Sequence, residues 1–234
     1  VQNLEETLNL IRDSLSDDGV FVLETPSFLE VLKYNAFDQF YHEHQSYFSY
    51  VSVKNIVEKL GMRVFDLEMY PVHGGTYRFF ICKENANHSN KVQNKYLDNE
   101  MRFGIDDYSN LCGVMDIMKS NMVNIKSMLE DIKKSGKTIV GYGATAKFTN
   151  VMNMCGLNNN HIDYVLDTTP LKNNKWIPNT GVQIKAYTPN KVKDIDYFYL
   201  GAWNYRKEVL NKESEYIKNG GKFITHIPKV EIIK

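Results

Sequence analysis

Residues 138–150 read TIVGYGATAKFTN. Thr138, Ile139, Val140 and Gly141 form a short run of strand character, and a helix is predicted from Thr145 onward, so Gly141 and Gly143 fall on a strand-to-helix turn. A G-x-G-x-x-A turn in that context aims backbone N–H groups at the helix N-terminus and suits a phosphate. The same glycines also suit plain tight-turn packing, and the residues alone leave both readings open. Lys147 adds a point charge, and Asp167 ends the following strand, where a dinucleotide-binding turn has its acidic partner.

Outward from this turn the pattern is α/β. Strands are predicted at 138–141, 163–167, 196–200 and 222–226, and helices over 145–154 and 205–218, the last stopped by Gly220 and Gly221. Such alternation predicts a parallel sheet with helices on its faces. Trp203 and Asn204, and the segment 170–178, follow predicted strands at the ends where open α/β sheets take ligands. Trp176 and Trp203 read equally as packing residues. Upstream, Leu111, Val114, Met115, Met118, Met122, Ile125, Leu129 and Ile132 mark a long amphipathic helix ending at Lys133, Lys134 and Gly136. Its methionine stripe reads as core packing. Residues 83–110 are polar and read as a connector.

The front of the chain repeats the rhythm. Leu4, Leu8, Ile11 and Leu15 give a helical period, closed by a turn in which Gly19 is expected to supply a left-handed cap. The run VFVL (20–23) reads as a strand buried on both faces. A helix is expected over 53–60, and strands over 63–69 and 76–82 across Gly74 and Gly75 suggest a hairpin-like pair at a sheet edge. The first part has too few strands for a closed doubly wound sheet and reads as the back half of a domain. The chain opens with Val1 in mid-pattern, which is the expectation for a fragment.

Composition narrows the functional classes. Lys plus Arg and Asp plus Glu are 28 each, so the basic footprint of a general nucleic-acid binder is missing. Three scattered cysteines form neither a zinc pattern nor a disulfide framework and fit a reducing, cytoplasmic compartment. No apolar run reaches the roughly 20 residues of a membrane span.

The densest polar cluster is FDQFYHEHQSYFS (37–49). Its histidines and Glu43 supply proton acceptors, and its tyrosines supply donors. His42 and His44 would share an ion only if the segment were a strand, and no metal is expected. Packing of aromatic and histidine side chains at a domain seam is the other reading. His73, Gly74 and Gly75 permit close backbone approach to a ligand, or merely a bulge.

In order, DDGVFVLETP (17–26), FDQFYHEHQSYFS, GMRVFDLE (61–68), HGGT (73–76), GYGATAK (141–147), Asp167 with Pro170, Pro178 and Gly181, and Trp203-Asn204 resemble the C-terminal portion of S-adenosylmethionine-dependent sugar C-methyltransferases. The resemblance runs over nearly the whole chain. It implies a class I methyltransferase half-domain at 1–84, a connector and long helix at 85–136, and a Rossmann-like domain at 137–234. The zinc-binding part and the glycine-rich front that holds S-adenosylmethionine would be missing, leaving a piece inactive alone, with the cofactor site mainly elsewhere. His44 would be the base that removes a proton beside the keto group of a nucleotide-linked deoxy-ketosugar, with Glu43 and Tyr41 orienting it or bonding sugar oxygens. His42, Tyr47, His73, Gly74 and Gly75 would lie against the sugar. Gly141, Gly143, Lys147, Asp167, Trp203 and Asn204 would serve the nucleotide diphosphate. Neither nucleic acid nor membrane is an expected partner. Thr76 stands where Ser is usual, Trp203 follows Gly201-Ala202 rather than a Pro, and Phe148, Thr149 and Asn150 stand where a small, glycine-containing stretch is expected. A stand-alone sugar-nucleotide-binding module and an NAD(P)-dependent oxidoreductase built on GYGATAK are the rival readings.

Overall fold

The computed structural model describes residues 2–189, 192 and 194–233. The chain divides into two compact units: Val1–Lys33 with His42–Val114, and Tyr34–Tyr41 with Met115–Lys234.

In the first unit, helix α1 (Leu4–Ser14) is capped by Asn3, whose side chain accepts from the Glu6 N–H. Strand β1 (Phe21–Pro26) and helix α2 (Phe28–Lys33) follow, then α3 (Tyr50–Lys59), β2 (Met62–Tyr70), β3 (Thr76–Lys83) and α4 (Lys95–Phe103). The sheet is antiparallel in the order β1-β3-β2. The expected hairpin pair is present, with β2 at an edge and β3 in the centre. Tyr77, Phe79 and Ile81 face a core shared with Leu8, Val53, Val57 and Met62. Arg78 and Phe80, on the opposite side of the pleat, are only half-buried, the alternation expected of an antiparallel sheet with one covered face.

Two expectations fail here. Residues 20–23 are not buried on both faces: Val20, ahead of β1, is 41% and Val22 48% exposed, because only alternate residues of β1 meet the core and Val22 points to the less covered face of the sheet. Gly19 does not cap α1, which ends earlier on Leu15 in extended geometry. Within the supposed connector, α4 forms because Tyr96 and Glu100 both find buried partners.

Helix α5 (Tyr108–Lys134) turns Met118, Ile125, Leu129 and Ile132 inward and leaves Ile117 and Val123 exposed. The second unit continues with β4 (Ile139–Tyr142), α6 (Ala146–Met154), β5 (Tyr164–Asp167), β6 (Trp176–Ile177), β7 (Val182–Ala186), β8 (Tyr197–Leu200), α7 (Arg206–Lys212), α8 (Ser214–Lys218), β9 (Lys222–Thr225) and β10 (Glu231–Ile233). Its seven strands run β10-β9-β8-β4-β5-β7-β6. The five from β9 to β7 are parallel, with an antiparallel strand at each edge. This is a mixed α/β, Rossmann-like arrangement. The helix expected over 205–218 is two helices. They break at Glu213, a buried carboxylate that accepts from the Tyr142 and Tyr187 hydroxyls at 2.8 and 2.6 Å. The sheet grows first to one side of β4 (β5, β7) and then to the other (β8, β9), so its topological switch point lies between β4 and β8. Among the described residues, no helix is long and apolar enough to cross a membrane.

Candidate active site

In the first unit, two of the quoted motifs come together around Ser27 and Phe28. The Ser27 N–H donates to the Gly75 carbonyl and the Phe28 N–H to the Phe48 carbonyl, each at 2.9 Å. Ser27 and Phe48 form an isolated parallel bridge. The Tyr47 ring packs 5.8 Å from Phe28 and meets the half-buried His44 ring edge-on at 6.3 Å. His42 and Glu43 are exposed in a turn. The segment is therefore not the strand that a shared ion would require, and among the described residues no three His, Cys, Asp or Glu converge as a metal site.

The far end of this segment is fixed by helix chemistry. Ser49 caps α3 in a reciprocal box with Ser52. The fully buried Glu100 carboxylate accepts from the Tyr50 and Val51 N–H groups at 2.6 and 2.9 Å. Burial pushes its carboxyl above the ordinary value, against the pull of those two N–H donors and Tyr77. An acidic group at a helix N-terminus complements the dipole and the unpaired donors there.

The His73-Gly74-Gly75 turn joins β2 to β3 with three consecutive positive φ values, 55°, 90° and 128°. His73 adopts the left-handed region without being glycine and is exposed. Non-glycine residues in this region concentrate at functional sites. A side chain on Gly75 would lie 2.7 Å from Glu30 Cγ, so α2 needs a glycine there. Glu30, which sequence reasoning missed, packs directly beneath the turn.

The second unit contains Tyr41 and the other candidates: Gly141 lies in β4, Gly143, Lys147, Trp203 and Asn204 follow β4 and β8 at the switch point, and Asp167 ends the adjacent β5. Thr145 caps α6 and also donates to the Gly201 carbonyl at 3.0 Å. A Cβ on Gly141 would lie 2.8 Å from Val165 Cγ2 and 2.9 Å from Phe148 Cζ; one on Gly201 would lie 2.6 Å from Phe148 Cδ2. Phe148, unexpected by family pattern, thus seats between two glycines. Asp167 Oδ2 accepts from the Ala144 N–H at 2.7 Å and lies 3.5 Å from Lys172 Nζ. Burial raises the Asp167 carboxyl, but hydrogen bonds from Thr169 and Ala144 and the Lys172 charge outweigh it and hold it below its ordinary value. One anion-binding N–H of the glycine turn is thereby taken by the chain's own carboxylate.

Lys147 Nζ is buried without a hydrogen-bond partner and sits 4.6 Å over the Trp203 ring. Burial lowers its pKa, with Asp38 opposing. Trp203 Nε1 donates to Asp38 Oδ2 at 2.6 Å, and His226 Nε2 lies 3.3 Å from the same oxygen. Asp38 and His226 are fully buried. Burial raises the Asp38 carboxyl, but His226, Trp203 and Lys147 together bring it below its ordinary value. Asn150 Nδ2 donates to the Asp38 and Phe40 carbonyls at 3.0 and 2.9 Å. Asp38, Asn150 and His226 had no role in the sequence reading, although each lies in a stretch it named: their partners lie far along the chain. Asn204 follows Trp203 in the short turn Trp203–Tyr205, half-buried.

Residues 71–228 match the family described as the C-methyltransferase C-terminal domain. The whole chain is 34% identical, over 236 aligned positions, to C-methyltransferase NovU of Streptomyces niveus, and spans 56% of that protein's length. The matched span begins at the β2–β3 turn and runs through the parallel sheet to the residues after β9. The chain belongs to the C-methyltransferase C-terminal domain family.

Proposed function

We propose that the chain supplies the proton-abstraction side, and part of the sugar-nucleotide site, of an S-adenosylmethionine-dependent C-methyltransferase. Its substrate would be a nucleotide-linked deoxy-ketosugar, methylated at the carbon beside the keto group. One observation carries this reading beyond the family match: the segment bearing His44 and the strained His73-Gly74-Gly75 turn meet around Ser27 and Phe28 within one unit.

Forming a C–C bond with an electrophilic methyl requires a nucleophilic carbon. A carbon next to a carbonyl becomes one when its proton leaves and the C–H electron pair moves into an enolate. Imidazole is suited to accept such a proton near neutral pH, and we assign that step to His44. Glu43 and Tyr41 orient the base or bond sugar oxygens. His73 and the glycine backbone lie against the ring, where fixed dipoles offset the developing enolate charge. Lys147 is assigned to the diphosphate, with Gly143, Trp203 and Asn204 beside it; a buried ammonium without an acceptor supports that role.

S-adenosylmethionine supplies the electrophilic methyl when bound. The glycine turn of this chain does not fit it: the space beside Gly141 is filled by Val165 and Phe148, and the Ala144 N–H is spent on Asp167. The same crowding disfavours a dinucleotide at this turn. We assign the donor to residues other than these.

Calorimetric titration of the chain with thymidine diphosphate and, separately, S-adenosylmethionine tests this division. Saturable heat is expected with the nucleotide, lost in Lys147→Met, and none with the donor. Tight donor binding would contradict the placement of its site, and no heat with thymidine diphosphate would contradict the nucleotide site.

A further inference from the structure

The switch point of a parallel α/β sheet is where such folds hold a ligand, in the crevice beyond the strand ends. Here the second unit fills part of that crevice with its own chain. Residues 34–41 belong to this unit although the residues on either side belong to the other. Their short turn Phe37–Gln39 packs against α6 with all three residues buried.

The seat is built from three elements. Asn150 on α6 points its amide at two successive accepting carbonyls, Asp38 and Phe40. Trp203, after β8, donates its indole N–H to the Asp38 carboxylate. His226, after β9, approaches the same oxygen, stacks on Tyr199 at 5.7 Å between centroids, and has its Nδ1 3.0 Å from the Tyr199 hydroxyl. A carboxylate and an imidazole with no exposed surface are costly unless hydrogen-bonded. The carboxylate is held by Trp203, with His226 beside it, and the imidazole by Tyr199, while α6 holds the backbone carbonyls, so the segment is fixed in one register. The last clamped carbonyl is that of Phe40, directly before Tyr41.

We infer that Asp38, Asn150, Trp203 and His226 are positioning residues: the switch-point crevice is a socket for residues 37–40, and through the chain this sets the backbone that leads into Tyr41, His42, Glu43 and His44. This rests on the proposed role of His44. It also gives Trp203 a use distinct from ligand contact through its N–H.

Two substitutions test it, one isosteric and one that exchanges the indole for a phenyl ring. Asn150→Asp replaces the amide donor by an acceptor facing two carbonyls, and Trp203→Phe removes the indole N–H. In the methyltransferase that contains this chain, each is expected to lower kcat for ketosugar proton exchange by about 10- to 100-fold, the usual cost of small misplacement of a reacting group. In Asn150→Asp KM should change little, so that the loss falls on kcat; the melting midpoint of both variants, each of which leaves buried polar groups without a donor, should fall but stay above the assay temperature. Independently of any substrate, the His44 ring resonances of the histidine-labelled protein should move in both variants, while those of His88 stay in place. Unmoved His44 resonances with unchanged kcat would overturn the inference. A wild-type protein without exchange activity would instead count against the proposed function and leave the resonances to decide the positioning role.

Discussion

Gly141→Ala separates two uses of the glycine turn. If Gly141 exists to let a phosphate approach, an added methyl should cost ligand affinity; if it exists to seat Phe148, the cost should fall on folding. The methyl would lie 2.8 Å from Val165 Cγ2 and 2.9 Å from Phe148 Cζ, against an optimum of about 3.5–4.0 Å between carbons. Both neighbours are 0% exposed, so neither can swing into solvent. Overpacking of this kind costs roughly 1–3 kcal/mol, and two simultaneous contacts place it near ~2 kcal/mol. The melting midpoint, followed by circular dichroism, should fall by about 4–8 °C. In a Phe148→Leu background the ring tip is gone, and the two losses should combine to about 1 kcal/mol less than their sum. Full stability in Gly141→Ala together with loss of thymidine diphosphate binding would refute the packing argument.

Two further outcomes follow from the geometry. Gly75→Ala must place a side chain at φ 128° against Glu30; a loss of about 3 kcal/mol in chemical denaturation is expected, and an unchanged midpoint would show that α2 is not packed as described. Asp167 has a carboxyl held below its ordinary value, so its contribution is present above the unfolded value of about 3.9 and is lost as pH falls through the lower folded value. The stability gap between wild type and Asp167→Asn in urea should therefore be wide at pH 7 and narrow at pH 3; a constant gap would contradict the hydrogen-bonded role of Asp167.

What could be read from the sequence was mostly what depends on neighbours along the chain. The apolar runs at 139–142 and 197–200 announce buried parallel strands because both of their faces are covered. Gly74 and Gly75, between β2 and β3, announce the hairpin because their φ values exclude most other residues. The strand at 20–23 misled because its run is apolar on both faces although only one face meets the core; what packs against a sheet is set by distant residues. The break at Glu213 was invisible because its cause, two tyrosine hydroxyls, lies on β4 and after β7. The same holds for the socket. The stretches holding Asp38 and Asn150 stood out, but not what these two residues do, since Trp203 and His226 reach the carboxylate only after the sheet is assembled. The family pattern at 148–150 was legible as a departure, and the structure explains it: Phe148 fills the space left by Gly141 and Gly201, and Asn150 clamps the segment before Tyr41.

The central claim is that His44 removes the proton beside the keto group. It is tested most directly by incubating the methyltransferase that contains this chain with a ketosugar nucleotide in D2O, without methyl donor, and following deuterium at that carbon by NMR. Wild type is expected to exchange it, and His44→Ala to slow exchange by about 10²–10⁴-fold while nucleotide binding survives. Exchange at the wild-type rate in His44→Ala would contradict the account and move the base to another residue.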